Sequence, residues 1–269
     1  MKKITFIRPL LFTGISLLVL NSCTLLSAAG LNDKGLSNKE ASEEIVSTTA
    51  NSEVNVDHSA WDKLLKKHVN SDGLVDYKGF QADRKALDSY ITMLSNHQPS
   101  DKWSVQEQLA YYINTYNANT VKLILENYPV KSIKDIKGAW TKDMVKIGNV
   151  QISLGGIENS ILRKMNEPRI HFAINCASIS CPKLMNEAYT AAKINEQLDK
   201  AVKQFINSDK NDLSENSPKV SSIFDWYKKD FRDSDQTVID YINKYAETKI
   251  SDTATLNYKD YNWNLNEQK

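Results

Sequence analysis

The chain has 269 residues, a quarter of them charged, with 34 basic against 33 acidic side chains and a formal net charge of +1. The two signs interleave along the length without the one-signed face or stripe of a nucleic-acid binder, so nucleic acid is excluded as a partner. Three cysteines and four histidines, with no Gly-rich phosphate loop, supply no complete ligand set for a metal or nucleotide, and no cofactor is expected.

Lys2, Lys3 and Arg8 precede an apolar run from Leu10 to Leu20 that is too short to span a bilayer, the pattern of a secretory signal over residues 1–22. Leu20-Asn21-Ser22-Cys23 then resembles the bacterial lipobox, in which a small residue precedes a cysteine that is lipidated and becomes the new N-terminus. Ordinary signal-peptidase cleavage near Ala28-Ala29 is the competing reading. Thr24 stands where an Asp would retain a lipoprotein in the inner membrane, which points to a lipid anchor in the outer membrane as the contact with a partner. Without residues 1–22 the chain has 31 basic and 33 acidic residues, a net charge of −2. Residues 23–53 are rich in Ser, Asn, Thr, Ala and Glu without apolar periodicity, as in a flexible tether, and residues 54–269 suffice for a single globular domain.

Helical spacing of Trp61, Leu64, Leu65 and His68 predicts a first helix over 59–69, with His68 packed in the core and His58 and His97 in solvent-facing loops. Asn70-Ser71-Asp72-Gly73 supplies a turn before a short extended segment over 74–77, and a second helix is predicted over Phe80–Ser95. Ser104 and Glu107 form a capping-box pattern ahead of a long apolar stripe that ends near Tyr128-Pro129, with Asn114 and Asn117 on or beside the apolar face. Met144–Leu154 alternates around Gly148-Asn149, a hairpin signal, and Ser153 then caps a helix to Met165 in which Glu158 borders the buried stripe. Arg169–Cys176 alternates like a strand and Ala177–Pro182 reads as a loop. Further helices are predicted over 190–207, 223–231 and 235–247. The fold class is α+β, helix-dominant, with a small sheet that includes a hairpin near 144–154 and a strand near 169–176.

Three ordered motifs, Tyr111–Ala118, Ser153 through Glu158 to Arg163, and Arg169–Cys176 through Ser180-Cys181-Pro182, resemble the domain-of-unknown-function family numbered 547. Ile223–Tyr227 with Asp230-Phe231, and Tyr258–Asn266, extend the resemblance to residues 55–267. The resemblance implies a domain rather than a reaction, since the family's activity is unassigned. Its members are usually more acidic at the positions of Gly155-Gly156, so an acidic ligand there is absent from this chain.

His171 and Cys176 invite a thiol-nucleophile hypothesis, with His171 as base and Glu158 and Asn117 in support, acting on envelope peptides or other amides. On a regular strand the two side chains would face opposite ways, so a direct dyad requires the chain to turn before Cys176. The competing reading is a Cys176–Cys181 disulfide in a non-catalytic binding or scaffold lipoprotein, with a redox pair or inert thiols as further alternatives. Arg163 or Arg169 is the structural partner expected for Glu158, and for Asn114 and Asn117 backbone groups of nearby loops and a bound ligand are equal alternatives. Trp140, Trp226-Tyr227 and Tyr261 to Trp263 fit either a pocket wall or the core.

Overall fold

The computed structural model describes residues 24–41, 45–232 and 236–269, so the expected signal segment and Cys23 lie outside the described residues. The chain is α+β and helix-dominant. After a helical stretch over 24–28 come α1 (Ser59–His68), α2 (Tyr77–Ala82), α3 (Arg84–Ser95) and α4 (Val105–Asn127). The antiparallel hairpin β1 (Val145–Ile147) and β2 (Val150–Ile152) follows, then α5 (Leu154–Gly156). The remaining elements are α6 (Ile194–Ile206), β3 (Lys219–Ser221), α7 (Ile223–Trp226), α8 (Val238–Tyr245) and β4 (Asn257–Lys259), with β4 pairing in parallel with β3.

α4 is the axis of the larger core. It is buried around nearly its whole circumference, which is why its polar positions Asn114, Asn117 and Thr120 are enclosed. Ser104 caps it by accepting from Glu107 N–H, but the Glu107 carboxylate reaches Val56 N–H at 2.8 Å instead of returning to its own cap. The expected capping box is therefore half made, and its acid ties the preceding segment to the helix. α1 buries Trp61, Leu64, Leu65 and His68 as the spacing predicts, and Trp61 stacks on Tyr90 of α3.

Several expectations are corrected. The predicted helix over 80–95 is two helices, broken at Asp83, and α2 begins at Tyr77 because Asp76 accepts a cap hydrogen bond from Gly79 N–H. His58 is not solvent-facing but 3% exposed, against Tyr90. The helix capped by Ser153 does run to Met165, but passes from α5 through a π-helical turn (Ile157–Ile161) into a 3-10 turn (Leu162–Met165). The strand predicted over 169–176 is instead a 3-10 helix (Pro168–Phe172) followed by turns. Pro168 sits at its first turn and the Glu167 carboxylate caps Arg169 N–H, a start signal that outweighs the alternation of side chains. Of the segment read as a flexible tether, the described part lies against the domain: Leu36 and Ile45 join the core, and the carbonyls of Ser27 and Ala28 accept from Ser160 and Asn159.

A second, smaller core gathers Phe172 of the 3-10 helix with Phe205, Phe224, Phe231 and Tyr241 from the stretch between α6 and α8. The 168–172 helix lies where the two cores meet, with Ile170 in the larger and Phe172 in the smaller. The C-terminal segment then runs back across the molecule. Asn264 and Asn262 carbonyls accept from Ile179 and Ser180, and Leu265 N–H donates to the Lys131 carbonyl. Among the described residues no helix is long and apolar enough to cross a membrane.

Candidate functional site

A cavity of about 400 Å³ forms at this junction. Trp140, Trp226, Trp263 and Tyr261 wall it, and Glu158, His171, Cys176 and Cys181 face it, while Trp226, half exposed, stands at its edge. The wall is one aromatic cluster: Tyr261 packs 4.6 Å from Trp263 and 4.8 Å from Trp226, and Trp140 meets Trp263 edge to face. Each element contributes a part. α4 brings Tyr116, the π-helical turn brings Glu158, the 3-10 helix brings His171, the chain after α7 brings Tyr227, with Asp230 on His171 outside the lining, and the C-terminal segment brings Tyr261 and Trp263.

Glu158 is 6% exposed and carries no ion pair among the described residues. Its carboxylate accepts instead from two hydroxyls, Tyr227 at short range and Tyr116 at 3.3 Å. Burial, reinforced by the Glu158 charge, pushes both phenols upward, so they stay protonated as donors. The partners expected for Glu158 are committed elsewhere. Arg163 makes a two-pronged pair with Asp230 at 2.5 and 2.7 Å, and Arg169 pairs with Glu167 and Asp199. Trp140 Nε1 donates to the Tyr116 hydroxyl, which links the aromatic wall to the carboxylate.

Gly155, three residues before Glu158 on the same cavity lining, has a steric reason. Its N–H donates to the Trp140 carbonyl, and a Cβ at this position would stand 2.6 Å from that same oxygen.

His171 and Cys176 line the same cavity, but the imidazole is not spent on the thiol. His171 Nε2 is 2.8 Å from Asp230 Oδ2 and the ring stacks on Tyr227 at 4.0 Å. Asn117 does not reach the cavity. Its Nδ2 donates to the Ala173 carbonyl and its Oδ1 accepts from Asn175 N–H, so it fastens the turn that leads to the thiols. Asn114 does the same for Tyr189. Both amides hydrogen-bond backbone groups of neighbouring turns, one of the two roles open to them in the sequence.

The sulfurs of Cys176 and Cys181 lie 2.6 Å apart. Cys176 N–H donates to Cys181 Sγ at 2.9 Å, and Ser178 and Tyr261 hydroxyls lie 3.2 and 3.4 Å from Cys176 Sγ. The hydrogen bond from Cys181, helped by those two hydroxyls, pulls Cys176 below the ordinary thiol value against the effect of burial. Burial and the neighbouring sulfur push Cys181 well above it. Proton and charge are thus divided unequally: Cys176 is the easier thiolate and Cys181 the donor. Cys181 and Pro182 also border a second cavity of about 450 Å³, so the thiol turn forms a partition between two hollows.

No group of three or more His, Cys, Asp or Glu among the described residues is arranged to hold a metal ion. Tyr116, Tyr227 and Asp230 belong to the site although the sequence does not single them out. Tyr116 reads as part of an apolar stripe, Tyr227 as either pocket wall or core, and Asp230 enters only through the family resemblance; the acid at Glu158 alone asks for partners. The family model described as a protein of unknown function, DUF547, matches residues 100–206. The resemblance therefore covers α4, Glu158, His171 and both thiols, but not Tyr227, Asp230, Tyr261 or Trp263. No curated protein and no solved structure matches the chain.

Proposed function

We propose that this chain is an exported, lipid-anchored envelope protein, held at the outer membrane through Cys23, whose domain binds the ammonium group of a small cationic ligand in the aromatic cavity. The observation that carries the binding reading is Glu158. Among the described residues it is a buried carboxylate served only by tyrosine hydroxyls, in a cavity whose lining includes no Lys or Arg. Arg163 is committed to Asp230 and lies over the outer Tyr227 ring, as Lys134 lies over Trp263, so among the described residues Glu158 has no direct counter-ion and feels Arg163 only at longer range. Electron-rich faces of tryptophan and tyrosine opposite an unpaired carboxylate favour a cation over an anion or a neutral group. The family resemblance is neutral on this point.

The test is titration of full-length protein in detergent with choline and with its uncharged isostere 3,3-dimethyl-1-butanol, followed by tryptophan fluorescence and calorimetry. Choline binding that is at least about tenfold weaker in Glu158→Gln, with no response to the isostere, is the expected result. Equal responses to both compounds, or none to choline, would refute it. The anchor has its own test, since incorporation of labelled palmitate is expected in the wild type and absent in Cys23→Ser.

A second reading, a thiol-dependent hydrolase or acyl transferase acting on amides, is favoured by the donors gathered on Cys176 Sγ. It predicts turnover of amide and thioester probes that is lost in Cys176→Ser and kept in Cys181→Ser.

A further inference from the structure

Two thiols in van der Waals overlap at a cavity wall carry a chemistry that neither ligand binding nor acyl transfer uses. We propose that Cys176 and Cys181 form a dithiol–disulfide couple that exchanges with small disulfides entering the cavity, Cys176 attacking and Cys181 resolving.

The turn is built to bring the sulfurs together. Asn175 Oδ1 accepts from Ala177 N–H, and Ala177 itself adopts a left-handed conformation with φ of 55°, a geometry that an alanine takes only where the surroundings impose it. Cys181 N–H closes the turn on the Ser178 carbonyl, and the C-terminal segment clamps Ile179 and Ser180 from outside. A bridge therefore requires little rearrangement of the backbone. Access is graded in the sense that exchange demands: Cys176 is the more exposed of the two and lines the aromatic cavity, whereas Cys181, though it borders both hollows, is buried.

The steps balance without a metal or cofactor. The Cys176 thiolate attacks one sulfur of the incoming disulfide, whose S–S bond breaks, and the departing thiolate takes up a proton. Cys181 then loses its proton and attacks Cys176 Sγ, expelling the second half as a thiol. The pair has lost two electrons, and the small disulfide has been reduced to two thiols.

The experiment uses full-length protein equilibrated in glutathione buffers of graded ratio, then acid-quenched, alkylated and peptide-mapped so that Cys23 is scored separately. A linked Cys176–Cys181 peptide should rise with oxidised glutathione and disappear in excess reduced glutathione under native conditions. In Cys181→Ser the reaction should halt with glutathione on Cys176, while Cys176→Ser should take up glutathione on Cys181 at least roughly tenfold more slowly. A link that yields to reductant only after denaturation would make the bridge a fixed structural one and overturn the proposal. Thiols that alkylate fully at every ratio would overturn it as well. The wild-type titration decides the matter if either variant fails to fold.

Discussion

His171 Nε2 lies 2.8 Å from Asp230 Oδ2, and the same carboxylate receives both prongs of Arg163. The imidazole that the sequence offers to Cys176 is thus claimed by a side chain 59 residues later and sandwiched against Tyr227 and Phe231. Burial opposes the Asp230 charge, but the hydrogen bonds from Arg163 and His171 overcome it and hold the carboxyl below its ordinary range. This cluster fixes the orientation of His171 and of Tyr227, whose hydroxyl serves Glu158.

Asp230→Asn keeps the shape and removes the charge. It should destabilise the fold by about 1.5–3 kcal/mol, the range for hydrogen bonds to charged groups, because the Arg163 and His171 donors remain with a weaker acceptor. Urea unfolding at neutral pH measures this. The difference from wild type should shrink at acid pH: a depressed carboxyl stabilises above its unfolded value and loses that contribution as pH falls through the folded one. An unchanged midpoint would show that the cluster is held by packing alone.

Local signals were legible in the sequence where one element makes its own hydrogen bonds. Ser153 caps Gly156 N–H, Gly148 takes the positive φ of the hairpin turn, and α1 buries the four residues its spacing predicts. The segment 169–176 misled because it is buried on all sides, from Arg169 to Asn175, so that alternation carried no information about which face met the core. The site followed the same division. Glu158 stood out as an acid on an apolar stripe, yet its partners Tyr116 and Tyr227 lie 42 and 69 residues away, and no local pattern joins them. The π-helical turn beneath Glu158 has no sequence signal of its own.

Asn117 tests the difference between a positioning and a structural amide. Replacing it with Ala leaves the Ala173 carbonyl and Asn175 N–H buried without partners, a loss of about 2–4 kcal/mol. The urea midpoint should fall accordingly, and the folded fraction should still bind choline, since Asn117 does not line the cavity. A variant of full stability with lost binding would reverse that assignment.

Gly155→Ala places a methyl 2.6 Å from the Trp140 carbonyl, where backbone rather than a flexible tip must yield. Overpacking of this kind costs about 1–3 kcal/mol. The displaced Trp140 would also lose its hydrogen bond to the Tyr116 hydroxyl, so a lowered melting temperature should come with altered near-ultraviolet circular dichroism. Wild-type values in both measurements would mean that the 138–142 turn absorbs the methyl freely.

His58 sets an acid limit on stability. It is 3% exposed, its Nδ1 is hydrogen-bonded to the Tyr90 hydroxyl at 2.7 Å, and its Nε2 has no partner among the described residues. Burial pushes the imidazole from its ordinary 6.5 down to about 4, with Asp57 resisting and His97 assisting. Between those two values the unfolded chain holds a proton that the folded chain does not, so stability rises with pH across the window and is lost as pH falls from 6.5 towards 4. At about 1.4 kcal/mol per pH unit the loss reaches roughly 3 kcal/mol. His58→Gln cannot titrate, and its urea-unfolding free energy should therefore decline less steeply than the wild type's across that window. Parallel profiles for the two proteins would show that His58 takes up its proton without unfolding, through water reaching Nε2.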